Sequence, residues 1–172
     1  MTAADYIQYL NLAPHPEGGY YRETYRATEN IPNAGLPPRF AQTGDRSFAT
    51  AIYFLLPAGE YSAFHRIKSD EVWHFYAGGP LFIHVIDPSG RYTRLQLGPN
   101  LAKGETFQAV VPAGAWFAAE PAPGTAFALV GCTVAPGFDF ADFEMAKAEA
   151  LVRLCPEQGG LINRLCRGMH GI

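Results

Sequence analysis

The sequence predicts a mainly β protein, a sandwich or barrel of about eight or nine short strands with short helices at its two ends. Three observations carry the prediction. Alternating or continuously apolar runs recur between turn residues. The chain holds 18 glycines and 14 prolines, with 13% aromatic residues. No strand is followed by a long helical pattern, as a parallel α/β sheet would require.

Taken in order, Thr2 to Leu12 reads as a short helix. Thr2 caps it, Asp5 sits in the first turn, and Tyr6, Ile7 and Leu10 form an apolar stripe. Pro14-His15-Pro16 ends it, and Gly18-Gly19 introduces an alternating strand to Arg26, with Tyr21, Glu23 and Tyr25 on one face. Residues 28–45 carry Pro32, Gly35, Pro37, Pro38 and Gly44. They form a long loop, read as a surface insertion in preference to a lid. Ser47 to Leu56 is a nearly continuous buried strand, and Pro57-Ala58-Gly59 turns it back. Pro80 to Asp87 and Arg91 to Leu97 form a hairpin around Pro88-Ser89-Gly90. Thr106 to Val111, Trp116 to Glu120 and Thr125 to Val134 complete the strands. Ala141 to Leu154 has helical spacing at Phe143, Ala146, Ala150 and Leu154, and Leu161 to Cys166 makes a last short helix.

At 172 residues the chain suits one domain, residues 1–172, with a full core. Hydrophobic content of 48% and charged content of 17% fit a folded globular protein. Net charge is −3 with scattered Lys and Arg, which gives no footprint for nucleic acid. No apolar run approaches the ~20 residues that cross a membrane. Met-Thr-Ala-Ala-Asp lacks the basic and apolar regions of a signal peptide. Cys132, Cys155 and Cys166 have no metal-type spacing, and their odd number argues against a disulfide framework. A cytoplasmic setting is the plain expectation.

The chemistry concentrates between Gly59 and Gly79. As two strands around Lys68-Ser69-Asp70, this stretch puts Tyr61, Ala63, His65 and Ile67 on one face and Glu71, Trp73 and Phe75 on another. A hairpin there would point His65 and Glu71 into one interior. An imidazole and a carboxylate sharing an apolar interior must pair, because an isolated buried charge is costly.

The spacing resembles the first motif of the cupin superfamily, G-x5-H-x-H-x3-E-x6-G. Gly59, His65, Glu71 and Gly78 fill four fixed positions, and Ile67 stands in the second histidine slot. The second motif maps onto Pro112-Ala113-Gly114-Ala115-Trp116-Phe117, with Phe117 in its histidine slot. His15 to Arg26, Ile52 to Leu56, Phe64 to Gly78, Val111 to Phe117 and Ala135 to Phe140 resemble a small single-domain cupin subgroup of unknown function. The resemblance implies a double-stranded β-helix, the cupin jelly roll, with short N- and C-terminal helices. It also implies a homodimer. The pocket resembles that of the metal-free dTDP-4-keto-6-deoxy-sugar 3,5-epimerases, whose histidine in the position of His65 is a general base.

His65 is therefore the candidate base and Glu71 its partner. Tyr53, Tyr61, Trp73, His74, Gln108 and Trp116 are candidate ligand-binding residues. Of these His74 is second in rank, because regular alternation sets it opposite Glu71. His84 and Cys132 read as structural, His15 as a turn residue and His170 as exposed in the tail. With two of four family ligands replaced, no metal and no cofactor are expected. The expected function is binding of a small ligand, sugar- or nucleotide-like, in the barrel, with metal-independent epimerisation or isomerisation. One alternative is a metal-dependent dioxygenase or isomerase, and another is a non-catalytic binding or storage protein.

Overall fold

A computed structural model gives the architecture and describes residues 1–167. Helix α1 spans Ala3–Tyr9 and is capped as expected: the Thr2 hydroxyl accepts from the Asp5 N–H, and Asp5 answers to the Thr2 N–H. The strands are β1 (Ala13–Pro14), β2 (Tyr20–Arg26), β3 (Asn30–Ile31), β4 (Arg46–Ser47), β5 (Thr50–Pro57), β6 (Ser62–Arg66), β7 (Asp70–Gly78), β8 (Leu81–Ile86), β9 (Tyr92–Leu97), β10 (Gln108–Val111), β11 (Trp116–Pro121), β12 (Phe127–Ala135) and β13 (Glu144–Met145). Helices α2 (Ala148–Leu154) and α3 (Gly159–Leu165) follow.

Two antiparallel sheets face each other. One has the order β1-β2-β5-β12-β7-β10 and the other β13-β6-β11-β8-β9, and β3 and β4 pair separately. This is a jelly roll with terminal helices, as the sequence predicts. Alternation buries Phe54, Leu56, Trp73, Val130 and Cys132 from the first sheet against Ile83, Val85, Phe117 and Ala119 from the second. The outer face of the second sheet offers Phe64, Ile86 and Ala118 to Leu151, Ile162 and Leu165 of α2 and α3. Leu55 and Leu129 on the outside of the first sheet meet Tyr6, Ile7 and Leu10 around α1. The terminal helices thus cover sheet faces that would otherwise be wet.

His84 has the structural role its position suggests. Its Nδ1 lies 2.8 Å from the Tyr92 hydroxyl and its Nε2 3.0 Å from Glu120 Oε1. Arg164 grips the same Glu120 carboxylate at 2.6 and 2.9 Å, which ties α3 to β8 and β11.

Three elements differ from expectation. The strands around Lys68-Ser69-Asp70 are not a hydrogen-bonded hairpin. β6 pairs with β11 and β13, whereas β7 pairs with β12 and β10, so the turn is a corner between opposing sheets. Alternation reveals which face a side chain takes, not which strand lies alongside. The helix expected over Ala141 to Leu154 begins only at Ala148. Its first half is a short 3-10 turn at Phe140–Asp142 started by Asp139, then β13, whose Met145 pairs with His65. The apolar side chains at helical spacing face different neighbours: Phe143 joins the inter-sheet core, while Ala146 joins the helix layer. Finally, segment 28–45 is stitched rather than open. It contains β3 and two 3-10 turns, and Phe40 is fully buried. Asn33 Nδ2 donates to the Phe40 and Gly44 carbonyls.

Candidate functional site

One cavity of about 630 Å3 opens between the sheets. His65 from β6 and Glu71 from β7 both line it, because the sheet-to-sheet corner turns their faces toward the same interior. Thr50, Ile52, Ile67, Cys132 and Val134 supply the barrel wall. Phe138, Phe140 and Phe143 form an aromatic side, with ring centroids 4.9 to 6.5 Å apart. Tyr21, Arg22, Glu23 and Arg26 also line the cavity. A register shift in β2 between Glu23 and Tyr25 breaks strict alternation, so Glu23 and Arg26, three residues apart, reach the same side.

The third buried titratable group was not anticipated: Glu17. Gly18 and Gly19 follow it with φ of +109° and +77°. A Cβ on Gly18 would collide with the Tyr61 carbonyl oxygen, so only glycine lets this turn lie against β6. The Glu17 carbonyl accepts from the Ala63 N–H at 3.1 Å and from Arg167 Nη2 at 3.0 Å. The anchored backbone delivers the Glu17 carboxylate to His65, with Oε2 2.8 Å from Nδ1. The same Nδ1 lies 2.7 Å from the Ala63 carbonyl oxygen. Both neighbours are acceptors, so Nδ1 carries a proton. That N–H aligns with Ala63, which leaves Glu17 Oε2 in ionic contact without an aligned donor.

His15 sits on the other carboxylate oxygen, with Nδ1 3.0 Å from Oε1 and 3.2 Å from the Glu17 backbone nitrogen. Protonated, it donates to the carboxylate; unprotonated, it accepts from the N–H. Its side chain is 7% exposed, so the turn residue of the sequence reading is part of the buried site. The reason is the Gly18-Gly19 turn, which folds the whole His-Pro-Glu segment inward.

These contacts separate the charges. Burial opposes ionisation of Glu17, but His65 and His15 outweigh it and hold the carboxyl down to about 2. Burial likewise opposes the His65 imidazolium, and the Glu17 carboxylate overcomes it, so His65 lies above its ordinary value. Glu71 behaves in the opposite way. Burial pushes its carboxyl up to about 7; the His65 charge works against that and the Glu17 charge adds to it. Its hydrogen-bond partner is Cys132, whose thiol is itself driven up by burial and by the Glu71 charge. The expected His65–Glu71 pair is therefore replaced at Nδ1 by Glu17. Near neutrality the site holds a Glu17 carboxylate, a His65 whose imidazolium that carboxylate favours, and a Glu71 that is partly protonated.

The other sequence candidates lie elsewhere. His74 projects from β7 on the side opposite Glu71, with Nε2 3.1 Å from the Thr133 hydroxyl and Gln108 Nε2 3.3 Å from its Nδ1. Tyr53 meets Tyr76 edge-on at 5.9 Å. Tyr61 lies beneath Arg167 and Trp116 beneath Arg66. None of these five lines the large cavity. Trp73 is a core residue, edge-on to Phe54 and Phe117, and reaches only a small side cavity next to the site. Side-chain type, a ring to stack or a hydroxyl or amide to orient a ligand, points to these residues, and side-chain type does not distinguish wall from core. His170 lies outside the described residues. Glu17 did carry a signal: a carboxylate set immediately before a double glycine, where the chain must turn sharply.

The metal that cupins often hold finds a poor donor set here. Ile67 and Phe117, 4% and 1% exposed, occupy two ligand slots with apolar side chains. His65 Nδ1 is committed to Ala63 and Glu17. Among the described residues, no three His, Cys, Asp or Glu side chains gather as a metal site requires. The residues do not fit a resident metal.

Comparison with known proteins agrees with this architecture. An uncharacterised protein of Saccharomyces cerevisiae is 32% identical over 147 residues, 80% of this chain and 72% of that one. A hypothetical protein from Leishmania major superposes with a TM-score of 0.85 at 37% identity, covering 98% of this chain and 100% of the other. A Shewanella oneidensis protein superposes at 0.83 with 41% identity, covering 97% and 98%. Oxalate decarboxylase from Bacillus subtilis shares the fold alone, at 16% identity and a TM-score of 0.52 over 88% of this chain and 36% of that one. Residues 4–146 match the model of the Cupin superfamily (DUF985) family, and the chain belongs to that family.

Proposed function

We propose that the protein binds a small carbonyl-bearing ligand, sugar- or nucleotide-like, in the barrel and moves a proton beside that carbonyl, as a metal-independent epimerase or isomerase. One observation carries the reading. Glu17, His65 and Glu71 meet at the inner end of a 630 Å3 cavity with their acidities driven apart. Paired groups of opposite protonation state are what acid–base chemistry at neutral pH needs.

The arrangement exchanges the roles that the sequence suggested. His65, protonated by its contact with Glu17, is the acid: Nδ1 faces protein acceptors, and Nε2 is the nitrogen left for a ligand oxygen. Glu71, pushed up to about 7, is the base. Its carboxylate takes the proton from the carbon next to the carbonyl, while His65 donates to the carbonyl oxygen. Solvent water protonates the enol carbon from the opposite face, Glu71 releases the captured proton to solvent, and His65 recovers its proton from the enol oxygen. Glu17 touches no ligand in this scheme and is a positioning residue. The aromatic side at Phe138 to Phe143 suits the apolar face of a ring. A second copy of the chain belongs to the same proposal, since Tyr76 and Val110, 52% and 50% exposed, leave apolar surface on the first sheet for it to cover.

The test is proton exchange. A panel of free and dTDP-linked keto sugars is incubated with the protein in deuterated buffer and followed by NMR. Loss of a carbon-bound proton next to the carbonyl is expected, abolished in Glu71→Gln and unaffected by a chelator. Exchange that survives Glu71→Gln, or that requires added metal, would overturn the reading.

A further inference from the structure

Two buried polar atoms among the described residues lack a hydrogen-bond partner in the protein: Trp73 Nε1, a donor, and Glu17 Oε2, an acceptor. Their residues line the same small cavity of about 20 Å3 beside the main one. Ser62, His65, Glu71 and Cys132 complete its polar lining, with Ile52 and Phe54 as the apolar part. Trp73 is 2% exposed and Glu17 7%, so bulk solvent satisfies neither. Leaving both unpaired is unfavourable, because each group lost its water on burial.

The volume decides what can fill the space. One water needs about 10–15 Å3 of this kind of volume together with two to four polar partners. The cavity exceeds that threshold and falls far short of a second ligand of any size. An organic fragment does not fit, and an N–H donor set against a carboxylate suits neither a cation nor an anion. A donor, an acceptor and a hydroxyl side chain form the complement of one water molecule.

The geometry points to a resident water site in this side cavity, in which one ordered water accepts from Trp73 Nε1–H and donates to Glu17 Oε2. Trp73 thereby becomes a positioning residue, acting on Glu17 through the water. The water supplies the aligned donor that His65 Nδ1 does not give, since that N–H is turned toward Ala63. It stabilises the Glu17 carboxylate and, through it, the proton on His65. Glu71, the second carboxylate of the site, lines the same small cavity. This inference stands whether or not the chain transfers protons, and its test uses no substrate.

The experiment is made on the full chain. A high-resolution crystal structure is expected to show one peak within hydrogen-bond distance of both Trp73 Nε1 and Glu17 Oε2. In solution, the Trp73 indole proton is expected to give a nuclear Overhauser effect to a long-lived water. Trp73→Phe keeps the ring and removes the donor. It is expected to lose the peak and to lower the His65 imidazole midpoint by roughly half to one unit, the worth of one ordinary hydrogen bond. Absence of the density peak in the native protein would overturn the proposal, and so would an unchanged His65 midpoint in a folded Trp73→Phe variant. A folding failure of that variant leaves the native density and the water contact of the indole to decide.

Discussion

Glu71→Gln should make the protein more stable at neutral and alkaline pH, by an amount the site allows to be worked out. The Glu71 carboxyl ionises at about 7 in the folded protein against an ordinary 4.5. That difference of about 2.5 units corresponds to about 3 kcal/mol, at ~1.36 kcal/mol per unit. A raised folded value sets the sign. Below 4.5 the group is protonated in both states and costs nothing. Between 4.5 and 7 the unfolded chain releases the proton while the folded one retains it, so stability falls as pH rises. Above 7 the whole cost is present. His65 contributes in the same direction: its folded value is also raised, and the stability from its Glu17 contact is lost as pH climbs through that value. Glutamine keeps an oxygen that can accept from Cys132 and has no proton to lose. Urea denaturation at a series of pH values reads the effect. With a slope of ~1–3 kcal/mol per molar urea, the native midpoint should fall by roughly 1 to 3 M between pH 5 and 8 on account of Glu71 alone. In Glu71→Gln most of that decline should vanish, and what remains should begin as pH passes the ordinary histidine value of 6.5 and run through the raised value of His65. A variant that declines as steeply as the native protein over this window would refute the burial argument for Glu71. So would a native protein whose stability rises with pH.

Three further outcomes are expected. Arg46→Ala should destabilise the fold by about 3 kcal/mol or more in urea, because it strands Asp142 in a pair whose side chains are 1% and 3% exposed; a loss under ~1 kcal/mol would show the pair to be dispensable. Light scattering should give twice the 18.8 kDa chain mass, and a single-chain mass over a broad concentration range would reject the dimer. Elemental analysis after growth in metal-supplemented medium should find no stoichiometric iron, manganese, nickel or zinc; such a metal, lost on His65→Ala, would reverse the conclusion drawn from Ile67 and Phe117.

Much of the fold is legible because it is written in short-range terms. The alternation along β8 and β9, the continuous apolar run of β12 and the glycine and proline punctuation locate strands without knowledge of their partners. The Gly59, His65, Glu71 and Gly78 spacing identifies the family. What escapes is long-range. Nothing near Lys68 says that β6 and β7 belong to opposing sheets, since the period of two describes faces only. Glu17 is remote in sequence from His65, and its importance depends on a glycine turn packed against Tyr61. Phe143 and Ala146 hold helical spacing yet lie in different cores, because Asp139 starts a tight turn ahead of them. The candidate site divides in the same way. His65 and Glu71 were legible from the motif. The group that sets their protonation was not, and neither was the aromatic side at Phe138 to Phe143.

Arg46 closes a fork on Asp142, with Nε 2.8 Å from Oδ2 and Nη2 2.7 Å from Oδ1, and its third nitrogen reaches the carbonyls of Thr43, Gly44 and Asp45. Asp142 lies in the chain between Phe140 and Phe143, which line the aromatic side of the cavity. A single guanidinium therefore rivets the end of the 28–45 segment to the rim of the barrel. Swinging that segment away as a flap would drag the rim with it and break a dry, doubly bonded ion pair. Traffic into the barrel is cheaper by another route: Phe140 is 55% exposed, and rotating one ring there widens the doorway while the frame stays shut. Entry and exit of a ligand should thus be paced by side-chain motion at the threshold, with the surrounding backbone acting as a fixed jamb.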